Sequence, residues 1–468
     1  MEIIFYAGYI AIAFFSAVLL SFGFIGSMQV SGQLRDKSIT LIIILLGIGL
    51  IASNLLSGRN LTYVGLSIEE LYTEQSGFAG IFDKLLNWVI AGFALAGCLE
   101  RIWVRYSKKN TIFPRGWWLI MILAYTLTNG FTGSLFGTHP GFKPGLLYPA
   151  LVLVFLAIDD RWQIDSVLSI SRNLLFWALL VGLILLPIKP GLVLEQNVTG
   201  YIPFVHFRFW GVASHANAIG SVAVTFLLIR YLKPFRISWL NWFSIFAAVG
   251  TLILSQSKTS ILGGLVAYVV ILMYQLFQAY HYKRSLLQWS IIDVAKLVVC
   301  IALIGIPILL SIFGVDPSHS LNSKFAQSVE TLSGRTQIWE VAINEWKSSP
   351  IFGYGPSIFD EEYRMRMGMN FLYHAHNQFI QTLAESGAVG AFGLIIFLTK
   401  CAAESIKAAK ATKGASIAIL VFILVRCLTE VPLRSGAMLS GEYILLLLWV
   451  AILMAYAPAP ENKNKCHI

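Results

Sequence analysis

Apolar runs of about 20 residues, separated by short polar stretches, recur along almost the whole chain. Since about 20 apolar residues cross a bilayer as a helix, they predict about 13 spans, with about 12–14 as the range. The predicted spans lie at about 4–28, 38–56, 79–98, 116–136, 145–158, 173–188, 217–232, 239–254, 259–279, 291–313, 378–402, 415–432 and 438–456. The sequence lacks the alternation of a membrane β-barrel. The pattern therefore predicts an all-α, polytopic helical membrane protein.

One long polar segment, at 314–377, interrupts this pattern. It divides the chain into a membrane domain at 1–313 with about ten spans, a large loop at 314–377, and C-terminal spans with a short tail at 378–468. The first run, 4–28, is longer than the apolar region of a signal peptide, so we expect it to be a retained span.

Composition supports membrane insertion and narrows the chemistry. The chain of 468 residues is 57% hydrophobic and 12% charged, and its mean hydropathy is +0.72. Soluble proteins contain about 25% charged residues. The five cysteines are scattered and form no CxxC pair, so the sequence indicates neither a disulfide framework nor a cysteine metal site.

The basic residues behind the net charge of +10 are concentrated in the loops between the predicted spans. Basic residues are frequent in alternate loops, such as 101–115 and 407–413, and sparse in the loops between them. Because cytoplasmic loops of membrane proteins are rich in Lys and Arg, we expect the basic set to be cytoplasmic. The 314–377 loop then falls on the outer face of the membrane, and the tail is cytoplasmic. Topology accounts for most of the charge, and we expect no nucleic-acid partner.

Two short outer segments carry groups that can bind an anion. The segment at 195–220 contains His206, Arg208, His215 and Asn217 among aromatic residues. It is either a binding segment or an interfacial aromatic belt with an incidental arginine. The turn SQSKTS contains Lys258, which either extends to the membrane interface or binds an anionic oxygen beside its hydroxyl neighbours.

The long loop carries a predicted amphipathic helix at 335–348. Trp339, Ile343 and Trp346 follow helical spacing before Pro350. Arg335 falls in the predicted first turn, where the helix dipole disfavours a cation. A bound anion would explain a cation at that position; the alternative is a solvated surface arginine.

The loop ends with His374-Ala-His376-Asn377. Two histidines at this spacing could bind zinc, but no third ligand stands at a recognisable spacing. A neutral histidine at a membrane edge more often positions a group or moves a proton.

Together these motifs resemble the O-antigen ligase and polymerase superfamily. His376-Asn377, nine residues, Gly387, two residues and Gly390 match its HN-x9-GxxG pattern. The stretch GRTQIWEVAINEWKSSPIFGYG resembles the family's Arg–Trp–Pro–GxG element. RFWGVASHANAIG and SQSKTS resemble two earlier elements, in the same order along the chain.

The resemblance implies a multi-pass glycosyltransferase of the bacterial inner membrane that acts at the periplasmic face. Its donor would be a glycan on undecaprenyl pyrophosphate, and it would need no nucleotide sugar, metal or other cofactor. Carried onto this chain, His376, Arg335 and Lys258 are catalytic, the two basic residues lying against the pyrophosphate. The expected substrate-binding residues are Arg208, Asn377, His215 and His374. Many family members have arginine where this chain has Lys258. The lysine is a point charge and cannot form the two parallel hydrogen bonds of an arginine.

The resemblance leaves the acceptor open. GRTQIW and SQSKT are most similar to exopolysaccharide polymerases, and Ala391 after the last glycine departs from the ligase pattern. We therefore expect polymerisation of lipid-linked repeat units into O-antigen or exopolysaccharide, with membrane lipid and a chain-length regulator as partners. The alternatives are a ligase that transfers glycan to lipid A core or protein, a flippase or other transporter, and a non-catalytic scaffold.

Overall fold

The computed structural model describes residues 21, 23–62, 77–109, 113–196, 205–281, 322–369, 372–434 and 438–456. Within these residues, seven helices are long and apolar enough to cross a membrane, and four shorter apolar helices accompany them. The chain is therefore a polytopic helical membrane protein, as the hydropathy pattern predicts.

The helices are α1 (Ser38–Leu56), α2 (Gly77–Ser107), α3 (Gly116–Thr126), α4 (Thr132–Phe136), α5 (Leu147–Ile158), α6 (Ile164–Ile188), α7 (Pro190–Val193), α8 (Ala216–Leu232), α9 (Ser238–Ser255), α10 (Lys258–His281), α11 (Asn322–Ser348), α12 (Glu361–Met367), α13 (Gln378–Ala408), α14 (Ala415–Thr429) and α15 (Gly441–Tyr456). A π-helical turn, Leu127–Phe131, joins α3 to α4. Strands β1 (Leu194–Gln196) and β2 (Phe207–Phe209) form an antiparallel pair.

The helix bounds agree well with the predicted spans. The runs at 38–56, 239–254 and 259–279 correspond closely to α1, α9 and α10. The run at 173–188 falls inside α6, which begins earlier, at Ile164. All of the predicted span 291–313 and most of 4–28 lie outside the described residues.

Helix α15 forms the centre of the bundle. Every residue from Ile444 to Leu453 is buried, and α15 packs against α5, α6, α8, α13 and α14. A helix that is apolar on all sides belongs in a core rather than at a surface. The other helices therefore surround α15, and the polar groups at their ends gather around its first turn.

The loop after α11 is built into helix α13. Helix α13 is interrupted at Gly387, whose backbone is not helical. The N–H of Ala388 donates to the carbonyl of Pro350 at 2.8 Å, and the N–H of Tyr354 donates to the carbonyl of Ala384 at 2.7 Å. Backbone groups freed by a helix break at membrane depth need such partners. The break therefore fixes the long loop against the bundle.

Candidate active site

Most of the polar side chains selected from the sequence meet where helix α14 ends, and Glu430 lies at their centre. Glu430 is the residue after α14 and is buried. Its Oε1 accepts a hydrogen bond from Asn217 Nδ2 at 2.7 Å. Its Oε2 lies 3.3 Å from His376 Nδ1. One buried carboxylate therefore joins the segment before α8 to the segment before α13.

The charge state of Glu430 determines the tautomer of His376. Burial raises the pKa of Glu430, but the hydrogen bond from His376 and the positive charge of Arg426 outweigh this effect and hold that pKa well below its usual value. An ionised carboxylate can only accept hydrogen bonds, so His376 carries its proton on Nδ1. In the neutral form of this tautomer, Nε2 carries no proton and can act as the proton acceptor that general base catalysis requires.

The backbone around His376 is held in an uncommon conformation. His376 has a φ of +48°, in the left-handed region that few non-glycine residues adopt. The neighbouring Ala375 is fixed on both sides: its N–H donates to Gln381 Oε1, and its carbonyl accepts from Trp339 Nε1, both at 2.7 Å. Strained backbone of this kind is concentrated at functional sites, where the surroundings enforce it.

His374 supports His376 and is itself neutral. Its Nδ1 accepts a hydrogen bond from the N–H of His376 at 3.2 Å, and the two ring centroids are 3.9 Å apart. Burial lowers the pKa of His374 to about 3. These contacts distinguish the two histidines: His374 braces the backbone, and His376 contacts the carboxylate.

His215 lies in the same cluster as a helix cap. Its Nδ1 accepts from the N–H of Asn217 at 3.2 Å at the start of α8, and its ring packs against Trp210. Burial and the charge of Arg208 lower the pKa of His215 to about 3. The prediction that His215 binds substrate remains a prediction, since the observed contacts are structural.

Arg208 reaches the cluster through Asn217. It lies on β2, opposite Glu195 on β1, and its Nη2 donates to Asn217 Oδ1 at 3.1 Å. Asn217 therefore connects Arg208 to Glu430. This arrangement places a half-buried cation two hydrogen bonds away from the carboxylate that orients His376.

Lys258 is the first residue of α10, and its side chain is exposed. Two residues later, Ser260 Oγ donates to the carbonyl of Asn217 at 3.3 Å, so the start of α10 adjoins the cluster. The helix dipole disfavours a cation at a helix N-terminus, whereas it favours an anion there. Lys258 together with this turn is thus suited to an anionic oxygen.

The prediction that Arg335 begins a helix is wrong. Helix α11 starts at Asn322, so Arg335 lies well inside it. The residues Ser333-Gly334 do not cap a helix here, because a glycine within a helix costs only about 1 kcal/mol. The half-exposed Arg335 stands one turn before Trp339, on the helix face that contacts the backbone beside His376.

Asn377 caps helix α13. Its Oδ1 accepts from the N–H groups of Phe379 and Ile380 at 3.0 and 3.1 Å. This is the usual bonding of an asparagine N-cap, and it fixes the direction in which the chain leaves His376. Whether Asn377 also binds a sugar hydroxyl remains a prediction.

Glu430 could supply the third metal ligand that the sequence around the two histidines does not show. Ligand atoms of His374, His376 and Glu430 all lie within 4.8 Å of one another. Both carboxylate oxygens of Glu430 already accept hydrogen bonds. The positive charges of Arg426 and Arg434 also act on this group. Three arginines, counting Arg208, make the surroundings more suitable for an anion than for a divalent cation.

Comparison with known proteins is consistent with this arrangement. Residues 243–395 match the family model described as O-antigen ligase, which is about a third of the chain and contains Lys258, Arg335 and His376. Arg208 precedes the matched region, and Glu430 follows it. The match supports the resemblance to the O-antigen ligase and polymerase superfamily. A search of curated proteins finds no match to this chain.

Proposed function

We propose that this protein is a membrane glycosyltransferase that polymerises oligosaccharide repeat units carried on undecaprenyl pyrophosphate. The observation that carries the proposal is the His376–Glu430 pair, which Asn217 connects to the start of α10, where Lys258 stands. The family match supports glycosyl transfer of the O-antigen ligase or polymerase type. The distribution of basic loops supports an inner-membrane protein whose site faces the periplasm.

In the proposed reaction, His376 Nε2 accepts the proton of an acceptor hydroxyl. The freed oxygen forms a bond to the anomeric carbon of the donor glycan, and the bond from that carbon to the pyrophosphate oxygen breaks. The leaving undecaprenyl pyrophosphate keeps the electron pair. Attack from the face opposite the leaving group inverts the anomeric configuration. No covalent intermediate on a carboxylate is required, since the acceptor oxygen displaces the pyrophosphate directly.

Lys258, Arg208 and Arg335 supply the positive charge that the leaving pyrophosphate needs. Preorganised cations stabilise charge that develops in a transition state more than charge already present in the substrate. Lys258 lies at the start of a helix, Arg208 reaches the cluster through Asn217, and Arg335 lies on the helix that holds Ala375. We place the donor pyrophosphate among these three side chains.

Ligation of finished glycan onto lipid A core or protein is the second candidate. The description of the matched family model, O-antigen ligase, favours ligation, whereas Ala391 and the GRTQIW motif favour polymerisation. A flippase receives less support, because transporters place polar groups near the bilayer midplane. In the described part of this chain, the polar cluster instead lies at helix ends.

The gene's deletion strain separates these candidates. We expect that strain to keep single repeat units on the lipid carrier and to lose long chains when its surface and lipid-linked glycans are separated on a gel. Wild type should restore long chains, and Arg335→Ala at equal membrane level should restore fewer. Long chains that accumulate on the carrier would indicate a ligase. Full restoration by Arg335→Ala would remove Arg335 from the site.

Lys258 gives a second, quantitative prediction. We expect Lys258→Ala to slow transfer roughly 10- to 100-fold, the effect of losing one charge-assisted hydrogen bond of about 1.5–3 kcal/mol. Lys258→Arg should retain most of the rate because the charge remains. Initial rates of purified protein with lipid-linked oligosaccharide measure both. Lys347→Ala is the matched control, since Lys347 is an exposed lysine near the end of α11; equal losses in both variants would mean that general surface charge is responsible.

A further inference from the structure

A buried arginine inside helix α14 takes no direct step in the proposed reaction. Arg426 is 1% exposed, and its Nη2 donates to Glu442 Oε1 in the first turn of α15. Charged side chains within membrane helices are expensive and usually serve a function. Glu442 is suitably placed as the partner, because an anion is favoured in the first turn of a helix.

The second terminal nitrogen of this guanidinium, Nη1, contacts the first turns of two further helices. Arg426 Nη1 lies 3.3 Å from the carbonyl of Asn217 and 3.3 Å from Ser260 Oγ. Asn217 is in the first turn of α8, and Ser260 is in the first turn of α10. One planar group therefore fixes three helices, α8, α10 and α15, relative to α14, which carries it.

The first turns of α8 and α10 each carry a member of the candidate site. The side chain of Asn217 donates to Glu430 and accepts from Arg208, and Lys258 stands two residues before Ser260. The backbone of Arg426 is involved as well, since its carbonyl accepts the N–H of Glu430 at 2.7 Å. Moving Arg426 would thus move the carboxylate that orients His376 and the cation at Lys258 relative to each other.

We propose that Arg426 and Glu442 form a positioning pair that sets the general base and the cation of the site at their working separation. The inference rests on the proposed function for its kinetic consequence, but its geometric consequence does not depend on that function. Neither side chain needs to touch the substrate. Misplacement of catalytic groups by about 1 Å can cost about 100-fold in rate, so a loosened pair would slow transfer without unfolding the protein.

The test removes both charges together. A single substitution leaves one charge buried and unpaired, which destabilises strongly, whereas replacing both by apolar residues is often neutral for stability. We therefore expect Arg426→Met/Glu442→Leu to melt close to wild type while its transfer rate falls roughly 10- to 100-fold. The control is Lys400→Met/Glu404→Leu, a charge pair on α13 about 35–40 Å along the chain direction of that helix from His376, which should keep the wild-type rate.

Two readouts separate positioning from stability alone. Adding Lys258→Ala should slow the paired variant much less than it slows wild type, because Lys258 would already be misplaced. Hydrogen exchange should be at least about tenfold faster in the first turns of α8 and α10 of the paired variant than in wild type. Equal effects of Lys258→Ala in both backgrounds, or unchanged exchange, would overturn the inference. Wild type without transfer activity would instead contradict the proposed function, and the exchange result would still decide the positioning role.

Discussion

Replacing His376 by alanine is expected to lower the rate of glycosyl transfer by about 10²–10⁴-fold, the usual contribution of a general base. The neutral ring presents Nε2 to the acceptor hydroxyl because Nδ1 donates to Glu430. Alanine removes the proton acceptor but leaves the cations that face the pyrophosphate. We therefore expect residual transfer rather than none, measured as the initial rate of purified protein at saturating donor and acceptor.

Glu430→Gln should lose nearly as much activity as His376→Ala. Glutamine keeps the size of the side chain but removes the charge and offers an amide N–H₂ group to one of its two neighbours. It can no longer accept from both Asn217 and His376, and the ring loses the partner that fixes its tautomer. Because residues that act as a unit are not additive in their effects, the double variant should be only slightly slower than His376→Ala.

Two results would contradict this pairing. Independent, multiplying effects of the two substitutions would mean that Glu430 does not act through His376. A wild-type rate that falls in EDTA, and returns with added zinc, would mean that His374, His376 and Glu430 hold a metal ion. We expect EDTA to leave the rate unchanged, because the arginines around this group disfavour a divalent cation.

Sequence reasoning located the histidine but not its carboxylate. The pair His376-Asn377 is part of a motif, whereas Glu430 is 54 residues further along the chain, in no motif that we recognised. The sequence feature that could have identified Glu430 is its position: it is an acidic residue directly after an apolar run, four residues after Arg426. Charges at such positions are rarely incidental. Only the packing of α14 against α8 and α13 shows which partners Glu430 meets.

The sequence also predicts a cation in the first turn of a helix, but it assigns that position to Arg335, which lies inside α11. The spacing of apolar residues predicts a helix that begins at Arg335, whereas α11 already begins at Asn322 and continues through that position. The same physical reasoning applies to Lys258, which does begin a helix. Hydropathy gave the span limits well because burial in a membrane is a property of long segments. A helix cap depends on one or two residues, and tertiary contacts override it easily.

Gly387→Ala is expected to destabilise the protein strongly. Gly387 interrupts α13 with φ +61° and ψ −157°, a backbone region that is essentially restricted to glycine. A Cβ there would also collide with the backbone of Ile351 and Phe352. Backbone strain of about 1–3 kcal/mol and overpacking of about 1–3 kcal/mol together give a loss of about 2–6 kcal/mol.

The break at Gly387 gives a physical reason for the first glycine of the HN-x9-GxxG pattern. The N–H groups of Ala388 and Val389 donate to the carbonyls of Pro350 and Ile351, so the loop replaces the bonds that the broken helix lacks. Alanine would close the break by continuing the helix, and the loop would lose its partners. The backbone that carries Trp339 and, through it, the backbone beside His376 would then shift.

The expected results are therefore a lower melting temperature in detergent and lost transfer activity in the fraction that remains folded. Gly92→Ala is the matched control, because Gly92 lies within α2 and an added Cβ meets nothing within 4 Å. That variant should be as stable as wild type or slightly more stable, since alanine favours a helix by about 1 kcal/mol over glycine. If Gly387→Ala retained wild-type stability, α13 would have to tolerate an unbroken helix at this point. The loop would then need some other attachment to hold His376 against Glu430.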